Sequence, residues 1–288
     1  MRSLFLKSSA KVNLGLHVLK KREDGFHDIE TVFQEIDLHD DIELVETETG
    51  ISVETDSPLL SNGPENLAWK AADLILRHTG KKTGILIRIR KRIPVSGGLG
   101  GGSSNAAAVL SGLNSLCDLK LPKNLLLEMA GAIGSDAPFF LYGNTAIATG
   151  RGEVLRKVSL QGDCYFVLIN PGIEVSTAWA YGQVRPALTK NGQKNIINTF
   201  SSSFKIKEIA SQMRNDLEKG VISKFPVIAT VKEMLERGGA VKALMSGSGA
   251  TVFGVFQKEK EARIVIENAK LAGWTAFFTR PVYSPRES

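Results

Sequence analysis

Ile93-Pro94-Val95-Ser96-Gly97-Gly98-Leu99-Gly100-Gly101-Gly102-Ser103-Ser104-Asn105 packs five glycines into the six positions from Gly97 to Gly102. Alternating Ile85, Ile87 and Ile89 just before it predict a strand, and Ala106-Ala107-Ala108-Val109-Leu110 just after it open a helical pattern running to Cys117. Ordering glycine costs more backbone entropy than ordering any other residue, so such a loop usually exists because something approaches its backbone closely. Phosphate is the obvious candidate, because unpaired N–H groups and the positive dipole end at a helix start favour an anion. Ser103 and Ser104 add hydroxyl donors. The two familiar phosphate motifs fail here: Ser103 stands where a P-loop needs lysine, and where the dinucleotide pattern beginning at Gly98 and Gly100 needs glycine. A ligand-free turn is the bland alternative.

Working outward, residues 4–6, 12–18, 29–38, 41–46 and 51–54 read as strands separated by turn residues such as Asp24-Gly25. Leu67, Ala68, Ala71, Ala72, Leu74 and Ile75 recur at helical spacing over 65–78, and Gly80 supplies a stop. A second helix over 122–133 ends near Gly134, ahead of Ser135-Asp136-Ala137-Pro138. Further on, helices are expected near 177–184, 206–217, 226–237 and 259–272. Strands over 241–245 and 251–256 bracket another small-residue loop, Ser246-Gly247-Ser248-Gly249-Ala250. Sheet-rich and helix-rich stretches without regular alternation predict an α+β fold, with a lobe boundary near Val158 and a mobile connection over 189–203.

With 288 residues, 43% hydrophobic and 23% charged, the chain has the composition of an ordinary globular protein long enough for two lobes. Its two cysteines, Cys117 and Cys164, lie in apolar stretches, and no Cys/His cluster has zinc spacing. A cytoplasmic location is expected, with no membrane span. The net charge of +6 suits an anionic partner without choosing one. Nucleic acid is not expected, because the densest basic run, Arg88-Ile89-Arg90-Lys91-Arg92, alternates like one face of a strand.

Residues 94–107 resemble the second signature of the galactokinase, homoserine kinase, mevalonate kinase and phosphomevalonate kinase superfamily. Ser9-Ala10-Lys11-Val12-Asn13-Leu14 resembles its first motif and Ser246-Gly247-Ser248-Gly249-Ala250-Thr251 its third. The resemblance implies a two-lobed small-molecule kinase fold. Its N-terminal lobe would be like domain 2 of ribosomal protein S5 and would bind ATP over 1–158. A ferredoxin-like α/β lobe would follow over 159–288, with the substrate cleft between the two. It also implies ATP and Mg²⁺, with Pro94, Val95, Ser96, Gly97, Gly98, Leu99, Gly100, Gly101, Gly102, Ser103 and Ser104 at the phosphates. Ser104 would also be a metal ligand, and Asn66 would lie near adenine.

By the same resemblance, Asp136 takes or orients the acceptor's hydroxyl proton and Lys11 is its paired lysine. Their bland alternatives are a helix N-cap and a solvated lysine. Lys20-Lys21-Arg22-Glu23-Asp24-Gly25-Phe26-His27, with Asn170-Pro171-Gly172, Ser176-Thr177 and Tyr181, resembles the branch whose acceptor is a cytidine diphosphate-linked sugar alcohol. Phe26 and Tyr181 would stack on the cytosine, His27 would meet its pairing edge, and Asn13 would help hold the acceptor. A turn histidine is the alternative for His27. A homoserine or mevalonate acceptor, a nucleotide sensor and a nucleic-acid binder remain the competing readings, and a monomer or weak homodimer is expected.

Overall fold

The computed structural model describes residues 2–184, 200 and 202–283. Packing groups them into two compact units through which the chain passes more than once. Unit 1 comprises residues 1–10, 38–95 and 100–142, and unit 2 comprises 11–37, 96–99 and 143–288. The division does not follow chain order because strands β1 (Ser3–Lys21) and β2 (His27–Thr47) each run through both units. Both strands are longer than their sequence pattern suggests. Residues 4–6 and 12–18 belong to one continuous strand, and so do 29–38 and 41–46.

In unit 1, β3 (Ile51–Thr55) lies parallel to β4 (Gly84–Arg90), which pairs antiparallel with residues 41–47 of β2. Four helices pack together beside these strands: α1 (Leu67–Thr79), α2 (Gly101–Leu116), α3 (Lys123–Ile133) and α4 (Ala137–Tyr142). Helix α1 forms where periodicity predicts it. Asn66 caps its start by accepting from Ala68 N, and Gly80 ends it in the left-handed conformation (φ 64°), donating to Arg77 O. Ala68, Ala71, Ala72 and Ile75 of α1 meet Ala106, Val109, Leu110 and Leu113 of α2 in a core shared with Ile42, Leu44, Ile85 and Ile87. Gly112 lets α2 lie on the strands, since a Cβ there would sit 2.5 Å from Leu6 and 2.6 Å from Leu44.

In unit 2, β5 (Thr145–Thr149) pairs antiparallel with residues 31–34 of β2, and β6 (Val154–Lys157) with β5. Next come β7 (Ser159–Gln161), β8 (Tyr165–Asn170), α5 (Thr177–Gly182), β9 (Ser203–Lys205) and α6 (Ile206–Ile209). The remaining elements are α7 (Glu218–Lys224), α8 (Val227–Arg237), β10 (Lys242–Met245), β11 (Val252–Phe256), α9 (Glu259–Leu271) and β12 (Thr275–Thr279). Their antiparallel sheet has the order β10-β11-β8-β12, with α8 against β10 and β11 and α9 against β8 and β12, the β-α-β-β-α-β pattern of a ferredoxin-like lobe.

The helix expected over 206–217 is not formed as one piece. It stops at Ile209, makes one 3₁₀ turn over Ala210–Gln212, and Met213 is extended. β1 competes for the segment that follows: Leu16 N donates to Arg214 O and Asp216 N to Leu16 O, both at 2.9 Å. The connection expected over 189–203 falls mostly outside the described residues. Among the described residues, no helix is long and apolar enough to cross a membrane.

Candidate active site

Lys11 is not a solvated lysine. It is 3% exposed, and its Nζ donates to Asn13 Oδ1 at 2.7 Å and to Gly98 O at 2.9 Å. The ammonium also lies 5.2 Å from the centroid of Phe33. Burying a charge is costly unless polar groups replace its water, and these carbonyls and ring do so. Lys11 and Asn13 share a strand face because side chains two apart point the same way. Asn13 Nδ2 in turn donates to Thr31 Oγ1, which donates to Gly15 O, so the ammonium sits at the end of a buried hydrogen-bonded chain.

The first half of the glycine loop and the loop 246–251 come together in unit 2. Gly98 O accepts Ser246 Oγ as well as Lys11, Gly97 O accepts Thr251 N, and Leu99 O accepts Lys11 N. Gly98 has φ 74°, and a Cβ there would lie 2.1 Å from Ser246 O, so no other residue fits. A Cβ on Gly247 would meet Gly98 O, Asn13 Oδ1 and Lys11 Nζ at 3.2–3.5 Å. Two stretches singled out in the sequence reach the same loop, for Thr177 and Ser248 hydroxyls are 2.9 Å apart and Asn170 Nδ2 donates to Thr251 Oγ1.

The second half of the glycine loop, in unit 1, begins α2. Gly100 occupies its N-cap in the left-handed conformation and offers no side-chain cap, and Gly102 is exposed. Pro94 and Val95 are half-buried. Ser103 is half-buried, whereas Ser104 is buried and its Oγ accepts from Ser8 Oγ at 2.7 Å. With the Asn105 amide in the orientation that satisfies both ends, its nitrogen has Gly101 O, Ser8 Oγ and Asp40 Oδ2 within hydrogen-bond reach, and its two hydrogens serve two of them at a time. Asp136 is half-buried and immediately precedes α4, in the turn where Ala137 N donates to Gly134 O. Asn66 has a structural use: besides capping α1, its Nδ2 donates to Ser61 O.

At the other end of β1, Arg22 N donates to Phe26 O and Asp24 Oδ1 accepts Phe26 N, which closes the loop 22–28. The His27 ring stacks on Tyr181, with centroids 5.3 Å apart and planes 25° from parallel. Burial, and then the Lys21 charge, hold the imidazole below its ordinary pKa, which keeps it neutral. A neutral ring has one donor and one acceptor nitrogen. Phe26 is 52% exposed.

Two further side chains support these loops. Asn215 is buried, and its amide donates to Met245 O (2.8 Å) and Gly247 O (2.7 Å) while Oδ1 accepts Leu217 N. In unit 1, buried Asp40 pairs with Lys91 and accepts Arg92 N and Ile93 N, anchoring the backbone that leads into the glycine loop. The basic run is accordingly divided, with exposed Arg88 pairing Glu43 and Glu54 while Lys91 turns inward.

Residues 66–144 match the model of the GHMP kinase N-terminal domain and residues 202–273 that of the C-terminal domain. A 4-diphosphocytidyl-2-C-methyl-D-erythritol kinase of Geobacter metallireducens is 46% identical over 91% of this chain and 92% of its own length. The enzyme of that name from Acetivibrio thermocellus is 38% identical over 98% and 100%. A crystal structure of 4-(cytidine 5'-diphospho)-2C-methyl-D-erythritol kinase superposes with a TM-score of 0.77 at 34% identity, covering 96% of this chain and 99% of that one. Homoserine kinase from Cytophaga hutchinsonii shares the fold (TM-score 0.74, 18% identity, 98% and 95% covered). The chain belongs to the 4-diphosphocytidyl-2-C-methyl-D-erythritol kinase family of the GHMP kinases.

Proposed function

We propose that this chain transfers the γ-phosphoryl group of ATP to the 2-hydroxyl of 4-diphosphocytidyl-2-C-methyl-D-erythritol, a step of non-mevalonate isoprenoid precursor synthesis. The observation that carries this reading is the buried Lys11 ammonium, held by Asn13 and Gly98 directly beneath the loop 246–251. A fixed positive charge stabilises the developing alkoxide of an acceptor without reorganisation during reaction. Asp136 accepts the hydroxyl proton as the new P–O bond forms and ADP departs. Asn13 holds the acceptor, and the stacked pair His27–Tyr181 with Phe26 recognises cytosine.

The N-terminal residues 1–158 supply most of the nucleotide contacts and 159–288 complete the enzyme. The uncapped N–H groups at the start of α2 suit the triphosphate, and exposed Gly102 leaves them accessible. Mg²⁺, which neutralises phosphate charge when bound, keeps several waters and takes few protein ligands. Ser103 suits it better than Ser104, whose hydroxyl is buried against Ser8. The enzyme acts in the cytoplasm as a monomer or weak homodimer.

The test is ADP release with ATP and Mg²⁺, offering the cytidine acceptor, mevalonate and homoserine separately. Turnover of the cytidine acceptor alone is expected, with Asp136→Asn lowering kcat by about 10²-fold or more. Turnover of another alcohol would sink the acceptor assignment, and full activity of Asp136→Asn would remove it from the chemistry.

A further inference from the structure

Phe26 lacks the hydroxyl by which a tyrosine could be oriented, so only contacts to its faces and edge can fix the ring. One face is covered. The Arg151 guanidinium carbon lies 5.1 Å from the Phe26 centroid, within the range of a cation–π contact. This guanidinium is no wandering surface group, because the turn between β5 and β6 that carries it is tied down on both sides. Ile29 N, at the start of β2, donates to Gly150 O at 2.7 Å. Arg151 N donates to Glu153 Oε2 at 2.7 Å, and Arg151 Nε lies 3.6 Å from Glu153 Oε1.

The loop side is fenced as well. Asp24 accepts Phe26 N at 3.1 Å and both its oxygens accept Arg22 Nε. The Arg22 guanidinium first, with Arg151 adding, holds the Asp24 carboxyl below the usual carboxylate range. Backbone and ring are therefore constrained separately, the first by Asp24 and the second by Arg151. More than half of the residue's surface remains open to a ligand.

We propose that Arg151 is a positioning residue for nucleobase recognition: it holds the back of the Phe26 ring so that the open face is presented to cytosine. The inference rests on the cytidine acceptor proposed above. A ring fixed before binding saves the ordering cost that a free side chain would incur on association. Arg151 touches neither the reacting atoms nor the nucleotide's phosphates in this role, so its effect falls on acceptor affinity and not on the chemical step.

The experiment compares Arg151→Met, Arg151→Lys, Phe26→Leu and the Arg151→Met/Phe26→Leu double variant. It reads KM for the cytidine acceptor, KM for ATP, kcat, and CDP binding by calorimetry. Arg151→Met is expected to raise the acceptor KM and the CDP Kd about three- to five-fold, the worth of an exposed cation–π contact, with ATP KM and kcat unchanged and the melting temperature lowered by no more than about 3 °C. Arg151→Lys recovers part of the loss, since a lysine keeps the charge without the planar group. In the Phe26→Leu background the arginine substitution has no further effect, because the contact it would remove is already gone. An undiminished arginine effect in that background would mean direct attraction for the diphosphate and would overturn the inference, as would unchanged CDP affinity in Arg151→Met. A wild-type chain that turns over mevalonate or homoserine and binds no CDP would instead overturn the acceptor reading, and the inference with it.

Discussion

The loops 96–104 and 246–251 are both built mainly of small residues with glycine and serine prominent, yet glycine serves different ends in them. In the loop 246–251, and at Gly98 against which it packs, the protein fills the space a side chain would need. Ser246 O sits under Gly98, Met245 sulfur lies 2.7 Å from a Cβ position on Gly249, and Asn215 holds Gly247 O from the other side. At Gly102 the nearest atom to a Cβ would be Leu67 Cδ1 at 3.4 Å, an ordinary contact on an exposed helix start. The fold has no need of glycine at 102, whereas it cannot do without glycine at 98. A glycine that no protein atom requires is the better pointer to a ligand.

Substitutions can break this contrast. Gly98→Ala meets a backbone carbonyl in a left-handed conformation, so thermal unfolding should show a loss of roughly 3 kcal/mol or more. Removing the Asn215 amide with Asn215→Ala leaves two carbonyls unpartnered, which should cost about 2–3 kcal/mol and lower kcat as the loop over Lys11 loosens. Equal stability of wild type and either variant would dissolve the distinction. Gly102→Ala should leave stability within about 1 kcal/mol of wild type, while ATP KM rises about ten-fold if phosphate approaches that backbone. An unchanged ATP KM would put the phosphates elsewhere.

The smallest expected effect concerns His17, two strand positions past Gly15 on the face that carries Lys11 and Asn13. It is buried, and its Nε2 has no hydrogen-bond partner. Burial first, then the Arg214 charge, lower its pKa to about 4 from an ordinary 6.5. The unfolded chain therefore takes up this proton before the folded one does. Stability from this group is complete above pH 6.5 and declines as pH falls toward 4, by at most about 1.4 kcal/mol per pH unit. Chemical denaturation across that range should show a shallower decline in His17→Gln, and an identical slope would mean that His17 titrates normally.

Local signals carried much of the molecule. The strand, loop and helix around Gly97–Gly102, the capped helix ending at Gly80 and the nearly correct limits of α3, α8 and α9 all follow from periodicity and stop residues. The errors arise where a distant segment wins. The helical pattern of 206–217 yields to hydrogen bonds with Leu16, and α7 and β12 carry no strong local pattern. Lys11, Asn13, His27 and Tyr181 were singled out through motifs, and no spacing rule reveals that Lys11 is buried. Asp40 and Arg151 were missed because each acts on a residue far away in sequence: Ile93 and Phe26.

The winding of the chain through both units also bears on how the protein is made. Unit 2 takes in residues 11–37 along with described residues from 143 onward, so β1, which pairs at once with β2, waits for its remaining partners until some two hundred residues later. Leu16 cannot meet Arg214 and Asp216, nor can Gly98 meet Ser246, until most of the chain has left the ribosome. Such distant pairing is slow to form and leaves apolar strand surface exposed meanwhile. A nascent chain halted at residue 158 would therefore hold a lysine with no loop above it. The buried ammonium of Lys11 acquires its neighbour Gly247 only after nearly nine-tenths of the sequence has been made.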